Sequence, residues 1–389
     1  VEVMMTQHPL FQSFMIGGFE CATQIMPGPR RVDLMAASFH DQLVAADYRA
    51  LVACGIQTVR DGIRWHLIEP TPGTYTFANS MPQIQAARAT RMQIIWDLCH
   101  YGWPTDLDVF SPTFIERYAS LAYAFAKWLD HESDTVPFIA PINEISFLAW
   151  VAGEVGHFYP FALNRGMELK RQLVRAAIAG IQAIKQVIPW ARIVHTDPLI
   201  HVVAATDQPA EFAAVYQAQQ AQFQAWDMLS GRLAPELGGQ PAYLDILGVN
   251  YYAHNQWLRD GTTIERTDPR YRPLRHLLQE VYTRYQRPLF IAETSSLGPA
   301  QPSWLRYVGS EVRIAQREGI PVHGLCLYPI LDTPDWNDAA VIHQGLLTMP
   351  NAYGKRQIRP ELLRELRRQQ YWLCHMKHVY SKLHYVTSS

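Results

Sequence analysis

Short apolar runs, each bounded by polar, glycine or proline residues, recur along the chain. They lie at 14–18 (FMIGG), 56–64 (IQTVRDGIR), 92–98 (MQIIWDL), 136–143 (VPFIAPIN), 192–196 (RIVHT), 244–251 (LDILGVNY), 288–293 (PLFIAE) and 321–328 (PVHGLCLY). Their length and their Val, Ile and Leu content predict strands buried on both faces. Between them, apolar residues recur at three- and four-residue spacing. That predicts helices, clearest over 41–54, 112–130, 167–188, 211–229, 302–318 and 361–378. Ser111-Pro112 reads as a helix entry, with serine as the cap and proline at the first turn. Eight strands alternating with helices imply an α/β protein whose parallel sheet closes into a (β/α)8 TIM barrel. The competing arrangement, an open doubly wound sheet, calls for a glycine-rich phosphate turn after an early strand. The segment IGGFECATQ is not such a turn. No repeat or linker-like tract divides the chain, so one catalytic domain over 1–389 is expected. Its core spans 14–378, and the ends read as additions or joins to a longer parent chain.

Composition narrows the class. The chain has 389 residues, 48% hydrophobic and 18% charged, enough for a large folded core. A formal net charge of -1 implies no basic field for nucleic acid. Five cysteines, at 21, 54, 99, 326 and 374, show no C-x-x-C spacing, which suits a reduced, cytoplasmic protein with single buried thiols. No leader pattern opens the sequence, and no apolar run is long enough to span a bilayer, so no membrane association is expected.

Polar and aromatic residues gather where the strands end, the end at which such barrels build active sites. Arg64-Trp65 follows the second strand, His100 and Trp103 the third, and Asn143-Glu144 the fourth. His195 and Asp197 close the fifth, and Asn250-Tyr251-Tyr252 the sixth. Glu293 ends the seventh, and Tyr328 the eighth, followed by Asp332, Asp335 and Trp336. Flat rings beside side chains with several hydrogen-bonding sites suit a sugar. Strands four and seven stand three apart in a ring of eight, so Glu144 and Glu293 should face each other across the mouth. Two opposed carboxyls are the machinery of glycoside hydrolysis. Arg64 and a hydrogen bond from Tyr252 would keep Glu293 anionic. That charge, with burial, would hold a proton on Glu144, while the Asn143 amide could hold a sugar 2-hydroxyl. No His/Asp cluster or H-E-x-x-H pattern calls for a metal, and no cofactor is expected.

The same residues resemble the family 1 glycoside hydrolases, the β-glucosidase and β-galactosidase group within the clan of (β/α)8 retaining glycosidases. The resemblance runs from about residue 14 to about residue 345. FMIGGFECATQ resembles the family's first strand and implies that Gln24 binds the non-reducing sugar. GIRWHLIEP resembles the arginine-bearing second strand, at Arg64. DLCHYGWP resembles the His-Trp-Asp-Leu-Pro region, at His100. INEI is similar to Thr-x-Asn-Glu-Pro, which implies an acid/base at Glu144 beside Asn143. GVNYY matches at Asn250 and Tyr252, and IAETSS at the nucleophile, Glu293. YPILDTPDW resembles the last-strand sugar contacts, at Tyr328, Asp335 and Trp336. Ile145 stands where the family has proline, and Ser295-Ser296 where it has Asn-Gly. Asp335 stands for a glutamate. The chain is also shorter than usual for the family, which implies a shallower or wider pocket. The resemblance implies a retaining, exo-acting β-glycosidase for a small-molecule glycoside or oligosaccharide, with carboxyls about 5–5.5 Å apart. Two alternatives stay open: a transglycosidase using the same residues, and a catalytically silent barrel that binds sugar or a partner.

Overall fold

The computed structural model describes residues 10–386, with side chains described to residue 373. Eight parallel strands close a barrel: β1 Met15–Gly18, β2 Thr58–Gly62, β3 Gln93–Asp97, β4 Phe138–Ala140, β5 Arg192–Pro198, β6 Ile246–Asn250, β7 Leu289–Thr294 and β8 Val322–Leu327. Each pairs with its neighbours in sequence, and β1 pairs with both β2 and β8. Every strand falls within or closely over its predicted run, and the fold is a (β/α)8 barrel.

The helices around the barrel are α1 His40–Ala53, α2 Met81–Thr90, α3 Pro112–Glu132, α4 Gly166–Val187, α5 Pro209–Ala221, α6 Gln224–Leu229, α7 Leu274–Tyr285, α8 Gln301–Arg317 and α9 Pro360–Val386. Two of them, α2 and α7, lie outside the predicted set. The α7 signal was present: Leu274, Leu277, Leu278, Val281 and Tyr285 form one buried stripe. The helix expected over 211–229 is two helices. α5 buries no residue, whereas Ala225 to Leu229 of α6 are all buried, so the chain turns inward at Gln222-Phe223.

Alternation along the strands sorts two cores. Ile16, Ile95, Phe138, Ala140, Val194, Ile246, Phe290 and Ala292 fill the barrel, with Phe11 packed on Phe138 and Phe290. A larger apolar layer lies between barrel and helices. In β2 the register places Thr58 beside Ile16 and Arg60 beside Gly18, so Arg60 faces into the barrel. Asp61 faces out, where His40 Nε2 lies 3.0 Å away and the Tyr48 hydroxyl donates to it at 2.7 Å. In β7 the register slips between Ile291 and Glu293, a bulge of the kind that re-aims a side chain near a site.

Candidate active site

Glu144 and Glu293 open on one cavity of about 1240 Å³, lined also by Glu20, His100, Tyr101, Tyr252, Asp335 and Trp336. β4 ends at Ala140, three residues before Asn143, yet the ladder carries on through backbone bonds. The Asn143 N–H donates to Cys99 O at 3.0 Å, and the Glu144 N–H to Thr196 O at 3.0 Å. Glu144 is thus clamped to the strands on both sides. Its backbone is left-handed, with φ 48°, a conformation that costs energy for a non-glycine residue.

Two donors hold the Glu144 carboxyl: the Tyr101 hydroxyl and the Asn250 amide, the latter at 2.8 Å. Burial, and then the charge of Glu293, push its pKa up to about 8. Glu293 has a different setting. Arg60 Nη1 lies 2.6 Å from Oε1, and the Tyr252 hydroxyl donates to Oε2 at 2.9 Å. Arg60 is wholly buried, pairs also with Asp97 at 2.8 Å, and lies over the Tyr328 ring. A buried guanidinium between two carboxylates matches its donor geometry.

This corrects the expectation for Arg64. That residue lies past the end of β2, where the chain turns into a short helix, Trp65–Ile68, and strand alternation no longer holds. Its guanidinium meets Asp33 at 3.2 Å and Asp41 at 3.1 Å, not Glu293. Gln24 needs a similar correction. It is 1% exposed, is absent from the cavity wall, and its amide nitrogen lies 3.9 Å from Met26 sulfur. Glu20, two residues past β1, reaches the cavity instead. Its Oε1 accepts from the Ala22 N–H at 3.0 Å and the Tyr328 hydroxyl at 3.3 Å. Burial raises the Glu20 pKa, with Glu293 adding to it and His100 opposing.

Asn143 lies behind the wall rather than on it. Its oxygen accepts from Arg60 at 2.6 Å and Thr196 at 2.7 Å. Its nitrogen donates to Tyr101 at 3.1 Å and faces His100 Nε2 at 3.0 Å. All four amide positions are taken, so none is left for a sugar hydroxyl. With that oxygen engaged, the amide presents an N–H to His100 and favours the tautomer protonated at Nδ1, which faces Asp97 at 3.2 Å. Tyr328 is 1% exposed and also supports the wall from behind. Asn250 reaches the site through Glu144. Tyr252, His100, Asp335 and Trp336 do line the cavity.

His195 and Asp197, left without a role by the sequence, are structural. His195 meets the Tyr243 carbonyl at 2.9 Å. Asp197 accepts from the Ser146 N–H at 2.9 Å and holds the turn after Glu144. The residues that sequence reasoning missed are Glu20, Arg60, Asp97 and Tyr101. Arg60 was legible in TVRDG, where Thr58, Arg60 and Gly62 share one face. Tyr101 stands beside His100, where the His-Trp-Asp-Leu-Pro pattern has tryptophan, but nothing local shows that its hydroxyl reaches Glu144.

Cys21, Asp97 and His100 stand close enough to offer ligands to one metal ion. Their chemistry opposes it. Arg60 already neutralises Asp97, and burial raises the Cys21 thiol well above its ordinary value, so thiolate is disfavoured. The four described cysteines are free and buried; Cys374 lies outside the described side chains. Among the described residues no helix is long and apolar enough to cross a membrane.

No family model matches the sequence, and no curated protein does. Solved structures do match the fold. A family 1 β-glucosidase from Thermotoga maritima superposes with a TM-score of 0.74 at 15% identity, over 91% of this chain and 96% of that one. A β-glucosidase from the same organism in complex with glucoimidazole gives 0.75 at 15%, over 92% and 99%. A hyperthermophilic β-glucosidase mutant gives 0.72 at 16%, over 91% and 99%.

Proposed function

We propose that the chain is a retaining, exo-acting β-glycosidase that removes one terminal sugar by double displacement. The observation that carries this reading is the asymmetry of two carboxyls on one cavity. Glu144 is buried beside neutral donors and holds its proton to about pH 8. Glu293 is gripped by a guanidinium and a phenol. Such a pair separates an acid from a nucleophile. The likeness to β-glucosidases, one of them bound to glucoimidazole, supports the same reading.

In the first step a Glu293 oxygen bonds to the anomeric carbon. The glycosidic C–O bond breaks, and the Glu144 proton passes to the leaving oxygen. In the second, Glu144 takes a proton from water, whose oxygen attacks the anomeric carbon and releases Glu293. Arg60 and Tyr252 hold the nucleophile in place and aim it. His100, Asp335 and Trp336, with Glu20, form the sugar wall. The substrate is a small glycoside or oligosaccharide.

The test is a panel of nitrophenyl α- and β-glycosides, with Glu293→Ala as control and azide added to both. The reading expects turnover of a β-glycoside, lost in Glu293→Ala and recovered as an α-glycosyl azide. Turnover confined to α-glycosides, or undiminished in Glu293→Ala, overturns it.

A further inference from the structure

The cavity does not end at the two carboxyls. Beyond Glu144 it continues between the start of α4 and the end of α5, where Trp150, Met167, Val202 and Ala218 supply an apolar wall. Lys170 lies on that wall and is only 6% exposed. Its ammonium donates to Ala221 O at 3.1 Å and Gln224 Oε1 at 2.9 Å, and both residues border the same space. An ammonium has three N–H donors, so one is left over.

Lys170 forms no ion pair among the described residues. Asp197 is within electrostatic reach, but its oxygens face the N–H and hydroxyl of Ser146, at 2.9 and 3.2 Å. Glu154 also borders the arm, exposed to solvent and accepting from the Gly166 N–H at 3.1 Å. A buried cation without a counter-ion is costly to a fold. Burial accordingly lowers the Lys170 pKa, and Asp197 opposes the shift. Arg259, exposed on the same cavity, adds positive charge. The arm adjoins Glu144, since Ser146 and Phe147, which follow it in the chain, line the same cavity as Trp150 and Lys170. In the proposed reaction the leaving group departs on the side of the acid, Glu144.

We propose that this arm is a leaving-group subsite for an aglycone with a flat apolar body ending in a carboxylate, and that Lys170 receives the carboxylate. The proposal rests on the glycosidase reading for the word aglycone, but not for the anion site itself.

The experiment compares β-glycosides of 4-hydroxycinnamic acid and of its methyl ester, on the sugar that the nitrophenyl panel selects. kcat/KM is measured for wild type, Lys170→Met and Lys170→Arg. The acid-to-ester ratio within each variant cancels any loss of folded protein. Wild type and Lys170→Arg should favour the acid, and Lys170→Met should lower the ratio about tenfold, the scale of one charge-assisted hydrogen bond. A ratio unchanged in Lys170→Met overturns the proposal. If wild type turns over neither glycoside, calorimetric binding of free 4-hydroxycinnamate decides it separately. Binding weakened about tenfold in Lys170→Met sustains the anion site. No binding, or equal binding, overturns it and leaves the glycosidase reading to its own test.

Discussion

Single side chains carry sharply different burdens here. As the proposed general acid Glu144 must stay protonated, so kcat/KM should fall as pH rises through about 8, and Glu144→Gln should lack that limb. The same substitution should lower turnover of glycosides with poor leaving groups about 10²–10⁴-fold. It should also stabilise the fold. A carboxyl whose folded pKa is raised loses stability as pH climbs from its unfolded value toward about 8. Removing the charge should therefore lift Tm at pH 8 but not at pH 4, measured by calorimetry. Arg60 is the opposite case. Arg60→Met would leave Asp97 and Glu293 as buried charges without their partner, at a cost of about 3–5 kcal/mol by denaturant unfolding. Arg64→Ala removes partly exposed pairs, so it should lose far less stability and keep turnover. That contrast checks the assignment of the site arginine to Arg60. Glu144 and Glu293 were legible as carboxylates at strand ends. Arg60 required the parity of the strand, and Tyr101 required the fold.

At the scale of elements, the site depends on how closely strands approach one another. A methyl group built on Gly18 would lie 2.1 Å from Tyr328 Cδ2 and 3.0 Å from Cys326 Sγ. Gly18→Ala must push the Tyr328 ring off its place beneath Arg60 and beside His100. The expected cost is about 1–3 kcal/mol, with kcat/KM falling further than the loss of folded protein explains. The strands were readable because each is a compact apolar run between polar stops. α7 was equally readable from its stripe, while α2 has a weaker pattern and rests on packing against α1. The break between α5 and α6 was not readable. Both halves are helix-forming, and only the neighbouring core decides that Phe223 turns inward.

Across the whole molecule, a second buried polar network ties the barrel to its surround. His40 of α1 lies between Asp47 at 2.8 Å and Asp61 of β2 at 3.0 Å, stacked on Phe19, and Arg356 reaches Asp47 at 2.7 Å. Burial opposes charge on His40, yet Asp61 and Asp47 outweigh it and lift its pKa to about 9. A histidine raised in this way contributes stability that is full below about 6.5 and lost as pH rises through about 9. Glu144 and Asp197, the latter raised by burial to about 7, act in the same direction at lower pH. Tm should therefore fall between pH 6.5 and 9, and less steeply in His40→Gln. A profile flat over that range in wild type would refute the account. The sequence by itself determined the eight strands, their order and the two glutamates at opposed ends. Those follow from local hydrophobic periodicity and from chain order around a closed ring. Tertiary structure alone decided which arginine meets Glu293, that Glu20 rather than Gln24 faces the cavity, and that Asn143 is saturated. These depend on where strands end and how their registers align, so residues far apart in the chain set distances that no local pattern contains.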